Sequence, residues 1–176
     1  AGESSITVGA FIDDLEQGSS EDDVHIQVLT SVMSEALEQS PSALRADQKI
    51  AVVTSAATSD FMKTTPSHAV PRRVAVLLKL AGPLQNIELG CSSGYFAIGQ
   101  AIDILNRNEC SAALVGGVFL LLKPYPASLA SEIVSSSGNM RPFSRDADGM
   151  VLGEAAAAIL LQLAQHSNDV ATTIIG

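Results

Sequence analysis

The chain has 176 residues, of which 47% are hydrophobic and 16% are charged, and its formal net charge is −9. This length is sufficient for one hydrophobic core, so we expect a single domain over residues 1–176. The acidic balance argues against a nucleic-acid partner, because neutralising a phosphate backbone requires clustered Lys and Arg.

The first part of the chain alternates between short apolar runs and polar connections. A strand is predicted over residues 4–11, and apolar residues at helical spacing predict a helix over residues 24–39. A β-branched run predicts a buried strand over residues 49–56. Residues 64–73 carry two prolines and are interpreted as an irregular connection.

The second part of the chain continues this alternation. An apolar segment over residues 74–82 precedes a predicted strand over residues 85–89, a helix over residues 92–107 and a long apolar strand over residues 111–122. Strands that alternate with helices indicate an α/β layered fold with a largely buried sheet. The remaining predicted elements are a polar loop over residues 135–149, a strand in the second part of residues 150–166, and a last strand over residues 171–176.

Several kinds of site and location have no support in the sequence. The apolar runs stop short of the roughly 18 to 20 uncharged residues that a membrane-spanning helix needs, so we expect no membrane partner. The first residues, "AGESSITVGAF", lack the basic start and long apolar centre of a signal peptide, and we expect a cytoplasmic protein. Neither a CxxC, an HExxH nor a Cys/His cluster occurs, so we expect no metal and no cofactor.

Cys91 and Cys110 are the two cysteines of the chain. They flank the helix predicted over residues 92–107, which would hold them roughly 20 Å or more apart, so a disulfide is not expected. Cys110 follows Glu109, whose negative charge would raise the pKa of a neighbouring thiol. We therefore expect Cys110 to be a structural thiol.

The stretch "NIELGCSSGYFAIGQAIDIL", residues 86–105, places Cys91 between a strand and a helix. The first N–H groups of a helix have no intrahelical partner, and together with the helix dipole they stabilise a thiolate. The same N–H groups can bind the oxyanion that forms when a thioester is attacked. Cys91 is therefore a candidate nucleophile, while a small buried residue at a tight corner fits the same spacing.

The same five residues, "GCSSG", also fit the G-x-S-x-G elbow of α/β-hydrolases. In that interpretation Ser92 is the nucleophile, and Asp146 or Asp148 and then His166 follow in the required order. A Ser92 esterase is thus an alternative, although the motif is short and the chain is small for such a hydrolase.

Four later motifs follow the elbow in a fixed order. With "GCSSG" they resemble the β-ketoacyl synthases of fatty acid and polyketide assembly, in the thiolase-like superfamily, over residues 74–164. The resemblance implies one half of a thiolase-like α/β fold, a layered mixed five-stranded sheet packed by helices. The motifs are Gly116-Gly117-Val118, Arg141-Pro142-Phe143, Asp148-Gly149 and Gly153-Glu154.

The resemblance also implies roles for particular residues. Cys91 would accept an acyl group from a carrier thioester for decarboxylative Claisen condensation, and its own N–H would contribute to the oxyanion hole. Phe143 would lie near the acyl pocket and bind substrate in a supporting role. Asp148 and Glu154 would be structural. The histidines His25, His68 and His166 lack the family's histidine contexts, so we expect them in loops or at the surface.

The family's catalytic histidines and a lysine come from a second half that these 176 residues do not contain. We therefore expect the chain to pair with a second ketosynthase-like chain or with itself, and to meet an acyl carrier protein or another acyl thioester. The alternative from a different class is a non-catalytic partner subunit that controls chain length or assembly. Cys91 favours the enzyme, because such partners commonly lack the cysteine.

Overall fold

The computed structural model describes residues 24–39, 49–56, 66–121 and 133–163. Three α-helices and four strands lie within these ranges, together with short 3-10 turns at Ser67–Ala69 and Gly90–Ser92. The helices are α1 (Val24–Glu38), α2 (Val70–Leu78) and α3 (Ser93–Asn106), and the strands are β1 (Ile50–Ser55), β2 (Leu84–Asn86), β3 (Ala112–Phe119) and β4 (Ala155–Leu161).

The four strands form one mixed sheet in the order β2-β1-β3-β4. The strand β1 lies between β2 and β3 and is parallel to both, with Val52 opposite Leu84 on one side and Leu114 on the other. A parallel neighbour requires a crossover connection, and α2 and α3 lie in the two crossovers that the chain makes here.

Helices cover both faces of the sheet. Ile50 and Val52 of β1 pack with residues of α1 and α2, while the alternate residues Ala51 and Val53 pack with α3. A central strand that is buried on both faces has to be apolar throughout, which explains the β-branched run that predicted β1. At Gly116 of β3, an added Cβ would lie 2.7 Å from Met33 Sδ, so the missing side chain allows α1 to approach the sheet.

Most predicted elements are confirmed within one to three residues. The helix predicted over residues 24–39 is α1, the strand over residues 49–56 is β1, and the helix over residues 92–107 is α3 preceded by a 3-10 turn. The strand predicted over residues 85–89 is shorter and ends at Asn86. The Gly116-Gly117-Val118 motif lies inside β3, which continues to Phe119.

The prediction for residues 64–73 was wrong where the structure describes them. The residues from Ser67 to Ala69 form a 3-10 turn, and α2 begins at Val70 with Pro71 in its first turn. Proline is tolerated there because the first N–H groups of a helix have no intrahelical partner to lose. The helix buries Val70 and Val74 against the sheet.

Two predicted strands, over residues 4–11 and 171–176, lie outside the described residues. The described part therefore contains four strands, against five expected for the whole sheet.

The chain separates into two compact units. The larger unit, Gln17–Val118 with Ala156–Gly176, contains the three helices and nearly all of the sheet. The smaller unit, Ala1–Glu16 with Phe119–Ala155, is described here at residues 119–121 and 133–155. The single domain expected over residues 1–176 stays a prediction.

Candidate active site

Cys91 lies in the 3-10 turn Gly90–Ser92, directly between the chain that leaves β2 and the start of α3. Its side chain is exposed, so Cys91 is not the small buried residue that the spacing also allowed. Gly90 has a φ of 59°, a left-handed conformation that side chains other than glycine rarely adopt. The glycine thus permits the sharp change of direction that presents the thiol to solvent.

Two serine hydroxyls fix this turn. Ser93 Oγ accepts a hydrogen bond from the N–H of Leu89 at 2.7 Å and donates one to the carbonyl of Gly90, also at 2.7 Å. Ser92 Oγ donates to the carbonyl of Leu89 at 2.8 Å. The backbone of the two residues before Cys91 is therefore held by side chains of the two residues that follow it.

The segment leading to the turn is tied to its neighbours by two further groups of hydrogen bonds. Asn86 Oδ1 accepts from Thr54 Oγ1 at 2.7 Å and from the N–H of Ala56 at 3.3 Å, while Asn86 Nδ2 donates to the carbonyl of Ala56 at 3.0 Å. Ser67 Oγ donates to Glu88 Oε2 at 2.7 Å. These residues were missed in the sequence, because single polar residues near strand ends carry no specific signal.

The outer face of α3 next to the turn is aromatic and exposed. Tyr95 is 79% exposed and Phe96 is 48% exposed. Their rings pack edge to face, with centroids 5.8 Å apart. The inner face of α3 is buried against the sheet through Ala97, Ala101 and Ile104. Two large aromatic side chains are thus exposed to water beside the candidate nucleophile.

A cavity of about 210 Å³ lies in the larger unit beside α3. Gly94 and Ile98 of α3 line it, and Gly94 is three residues beyond Cys91. The other side is formed by residues of the sheet, which include Ser55, Gly117 and Ile159. The lining residues are small or apolar, apart from the Ser55 hydroxyl.

Phe143 belongs to the smaller unit, whereas Cys91 belongs to the larger. The Phe143 side chain is fully exposed and its backbone has a φ of 61°, an uncommon conformation for a bulky residue. Backbones of this kind persist only where the surrounding structure enforces them, and they concentrate at functional sites. The substrate-binding role of Phe143 stays a prediction.

Asp148 closes the base of the loop that carries Phe143. Its carboxylate accepts hydrogen bonds from Ser135 Oγ at 2.7 Å, from the N–H of Ser137 at 2.9 Å and from Ser136 Oγ at 3.0 Å. The hydrogen bond from Ser135, followed by the others, holds the pKa of the Asp148 carboxyl well below its usual range. This arrangement supports a structural role.

Glu154 also makes a structural contact. Its Oε1 accepts a hydrogen bond from the N–H of Leu121 at 2.6 Å. The half-buried carboxylate thus holds the chain just after β3, within the smaller unit.

The Ser92 hydrolase gains no support from the described residues. The Ser92 hydroxyl donates its proton to a backbone carbonyl rather than to a general base, and the Asp148 carboxylate is occupied by serine donors. Asp146 is exposed, and His166 lies outside the described residues.

The two other histidines differ from each other. His68 is exposed in the turn before α2, as expected. The expectation for His25 was wrong, since it is only 5% exposed. It precedes Leu29 and Met33 by four and eight residues in α1, so all three lie on the helix face that packs inward.

Cys110 is half-buried and packs against the apolar cluster between α3 and the sheet. Burial raises the pKa of the Cys110 thiol, and the charge of Glu109 adds a smaller increase. The direction agrees with the expectation, but burial and not the charge of Glu109 is the main cause.

The described ranges contain neither a metal-ligand cluster nor a membrane-spanning helix. No cluster of three or more Cys, His, Asp or Glu side chains suited to a metal ion occurs among residues 24–39, 49–56, 66–121 and 133–163. In the same part of the chain, the helices are too short or too polar to cross a bilayer.

Residues 9–167 match the family model described as the β-ketoacyl synthase N-terminal domain. The chain belongs to the β-ketoacyl synthase family. The match covers the elbow of Cys91 and all four later motifs, so it confirms the resemblance that those residues carry.

Among curated proteins, the ketosynthase chain is similar to large polyketide synthases. Polyketide synthase PksM of Bacillus subtilis is 38% identical over 106 residues, 59% of this chain and 2% of that protein. Erythronolide synthase EryA3 of Saccharopolyspora erythraea is 37% identical over 100 residues, 56% of this chain and 3% of that protein. Polyketide synthase ThaG of Burkholderia thailandensis is 31% identical over 153 residues, 77% of this chain and 3% of that protein.

Solved ketosynthases share the fold. The ketosynthase from module 6 of the bacillaene synthase of Bacillus subtilis 168 has a TM-score of 0.77 at 26% identity, over 89% of this chain and 31% of that one. The ketosynthase from module 1 of the bacillaene synthase of Bacillus amyloliquefaciens FZB42 has a TM-score of 0.69 at 28% identity, over 81% of this chain and 27% of that one. The ketosynthase chain therefore has a thiolase-like α/β fold and spans less than a third of these solved relatives.

Proposed function

We propose that this chain is the nucleophile-bearing part of a condensing enzyme, in which Cys91 accepts an acyl group from a carrier thioester. The observation that carries the proposal is the exposed thiol of Cys91 in a hydrogen-bonded turn that opens α3. The relatives named above are polyketide synthases, which favours polyketide over fatty acid assembly. A cytoplasmic location is part of the same proposal.

Acylation exchanges one thioester for another. Cys91 Sγ loses its proton and forms a bond to the carbonyl carbon of the acyl carrier thioester. The bond between that carbon and the carrier sulfur breaks, and the carrier sulfur takes up a proton. The N–H groups at the start of α3 stabilise the oxyanion of the intermediate, because they have no partner within the helix.

Condensation requires groups beyond those of this chain. A malonyl thioester loses carbon dioxide, and the resulting carbanion forms a carbon–carbon bond to the acyl carbonyl on Cys91. The bond between that carbon and Sγ breaks, and Cys91 leaves as a thiolate that takes up a proton from solvent. We propose that histidines supplied by another chain polarise the extender thioester. The rate of condensation should fall steeply without them, because catalytic residues that act as one unit are strongly non-additive.

The partner that supplies these groups is a second ketosynthase-like chain that carries them, whereas a second copy of this chain would cover the same face without adding them. The support is the outer face of α3, where Tyr95 and Phe96 are exposed next to Cys91. Histidines that serve Cys91 have to approach within hydrogen-bond reach of the substrate, so the chain carrying them has to cover this face.

Mass spectrometry tests the acylation. The full chain is incubated with an acyl N-acetylcysteamine thioester, and we expect one acyl adduct that maps to Cys91. The half-buried Cys110 provides the matched control: the adduct disappears in Cys91→Ala and persists in Cys110→Ala. An adduct that persists in Cys91→Ala would contradict the proposal.

The non-catalytic partner subunit remains the second candidate. It predicts that the chain assembles with a ketosynthase chain but forms no adduct at Cys91, either alone or in the assembly. The exposed thiol of Cys91 argues against this candidate, because a subunit that only sets chain length or assembly does not need a nucleophile.

A further inference from the structure

Ser93 makes two hydrogen bonds to the backbone directly before Cys91. Its hydroxyl oxygen accepts from the N–H of Leu89 and its hydroxyl proton goes to the carbonyl of Gly90, both at 2.7 Å. The residue is 7% exposed, so little water reaches these two bonds. One side chain therefore holds the backbone at the two positions directly before the nucleophile.

The other hydrogen bonds of this turn include those from Ser92 Oγ to the carbonyl of Leu89 and from the N–H of Ser93 to the carbonyl of Gly90. The N–H of Ser92 lies 3.4 Å from the carbonyl of Leu89, which is long for a hydrogen bond. Gly90 has no side chain to restrict it and adopts a left-handed conformation. The hydroxyl of Ser93 thus adds a short contact at each of the two residues before Cys91, whereas the hydroxyl of Ser92 contacts one of them.

We propose that Ser93 is a positioning residue that sets the direction of Cys91 Sγ relative to the N–H groups at the start of α3. The inference rests on the proposed acylation of Cys91. Attack on a thioester requires Sγ to meet the carbonyl carbon while the carbonyl oxygen meets these N–H groups, and a displacement of about 1 Å costs roughly 100-fold in rate. Alkylation by a small halide has no oxyanion and makes no such demand.

Ser92 offers a matched control in the same turn. Its hydroxyl is exposed and makes one hydrogen bond, to the carbonyl of Leu89. Its removal leaves both contacts of Ser93 in place.

The experiment compares two reactions of Cys91 in the full chain. Single-turnover acylation by acetyl-N-acetylcysteamine and alkylation by iodoacetamide are both followed by intact mass in the wild type and three variants. In Ser93→Ala we expect acylation to slow by about 10- to 100-fold while alkylation changes by less than about threefold. Ser93→Thr, which keeps the hydroxyl, recovers at least part of the acylation rate, and Ser92→Ala, which removes one hydrogen bond of the turn instead of two, slows acylation less than Ser93→Ala.

The inference is overturned if Ser93→Ala acylates at the wild-type rate, if acylation and alkylation fall together, or if Ser93→Thr is no better than Ser93→Ala. Amide hydrogen exchange of the wild type covers the case in which the variants do not fold. The N–H of Leu89 donates to a buried hydroxyl, so we expect slow exchange, and exchange at the rate of an open chain overturns the inference.

The two proposals fail in different ways. If the wild type forms no adduct at Cys91, the proposed function fails, and the protection of Leu89 still reports on Ser93. If the wild type is acylated and Ser93→Ala matches it, only the role of Ser93 is wrong.

Discussion

The Asp148 carboxylate accepts hydrogen bonds from three consecutive serines. Ser135 and Ser136 contribute hydroxyls, and Ser137 contributes both its N–H and its hydroxyl. The next residue, Gly149, has a φ of 136°, and an added Cβ there would lie 2.6 Å from the N–H nitrogen of Ser135. The sequence motif Asp148-Gly149 thus combines a charge that binds the serines with a glycine that lets them approach.

This arrangement predicts acid sensitivity of the loop. The hydrogen bonds lower the folded-state pKa of Asp148 below its unfolded value near 4, so their stabilisation is fully present above about pH 4 and is lost as the pH falls. We expect the protection of the Ser137 N–H against hydrogen exchange, corrected for intrinsic rate, to decrease below about pH 4. In Asp148→Asn, protection should be lower at neutral pH and should no longer depend on acid.

The neighbouring Asp146 provides the control, since it is exposed and lies in the same loop. Asp146→Asn should keep the wild-type profile. A wild-type profile in Asp148→Asn would show that another group controls the loop.

At the scale of elements, the sequence predicted well wherever one physical signal acted alone. The helical spacing of α1 and the β-branched run of β1 were sufficient, because both elements are buried by the same apolar residues that form the pattern. The helix α2 was missed because Pro71 was interpreted as a break, whereas a first-turn proline is compatible with a helix. The strand β2 was predicted, but its bounds depend on pairing with β1, which no local pattern encodes.

The part of the candidate site that a local sequence signal marks was also predictable. The turn of Cys91 was recognisable because Gly90 and the two serines that follow Cys91 mark a tight corner between a strand and a helix. The contacts that support the turn were not, since Thr54 and Asn86 are 32 residues apart in the chain and meet only in the folded sheet.

Asn86 joins the ends of β1 and β2, and its loss should destabilise both. Asn86→Ala leaves the fully buried hydroxyl of Thr54 and the N–H and carbonyl of Ala56 without this partner. A buried polar group left unsatisfied costs about 1–3 kcal/mol, so we expect the free energy of unfolding to fall by about 2–3 kcal/mol in a urea titration.

Two further variants test the cause of this loss. The neighbouring Gln85→Ala, in the same strand, should change the free energy of unfolding by less than about 0.5 kcal/mol. Adding Thr54→Val to Asn86→Ala should cost less than the two single losses combined, because it removes a group that would otherwise be buried without a partner. Additive losses would mean that the hydrogen bond between Thr54 and Asn86 contributes little.

At the scale of the whole molecule, the two faces of α3 differ in burial. The inner face is buried against the sheet through Ala97 and Ala101, among others. The outer face exposes Tyr95 and Phe96 to water. The chain spans less than a third of the solved ketosynthases named above. In the function proposed above, acylation needs the turn of Cys91, whereas condensation also needs a partner that covers this face.

The exposed aromatic pair therefore predicts association through α3. In light scattering over a concentration series, we expect the full chain to assemble with itself or with a ketosynthase chain that carries the missing residues, because this buries both rings. Tyr95→Ser with Phe96→Ser should lower the assembled fraction at least tenfold. The matched change on α2, Val76→Ser with Leu77→Ser, also removes two exposed apolar side chains, 69% and 58% exposed, but lies away from the nucleophile turn and should leave assembly nearly unchanged. A chain that stays monomeric with every partner, or an α2 variant that loses assembly as fully as the α3 variant, would contradict a role for this face.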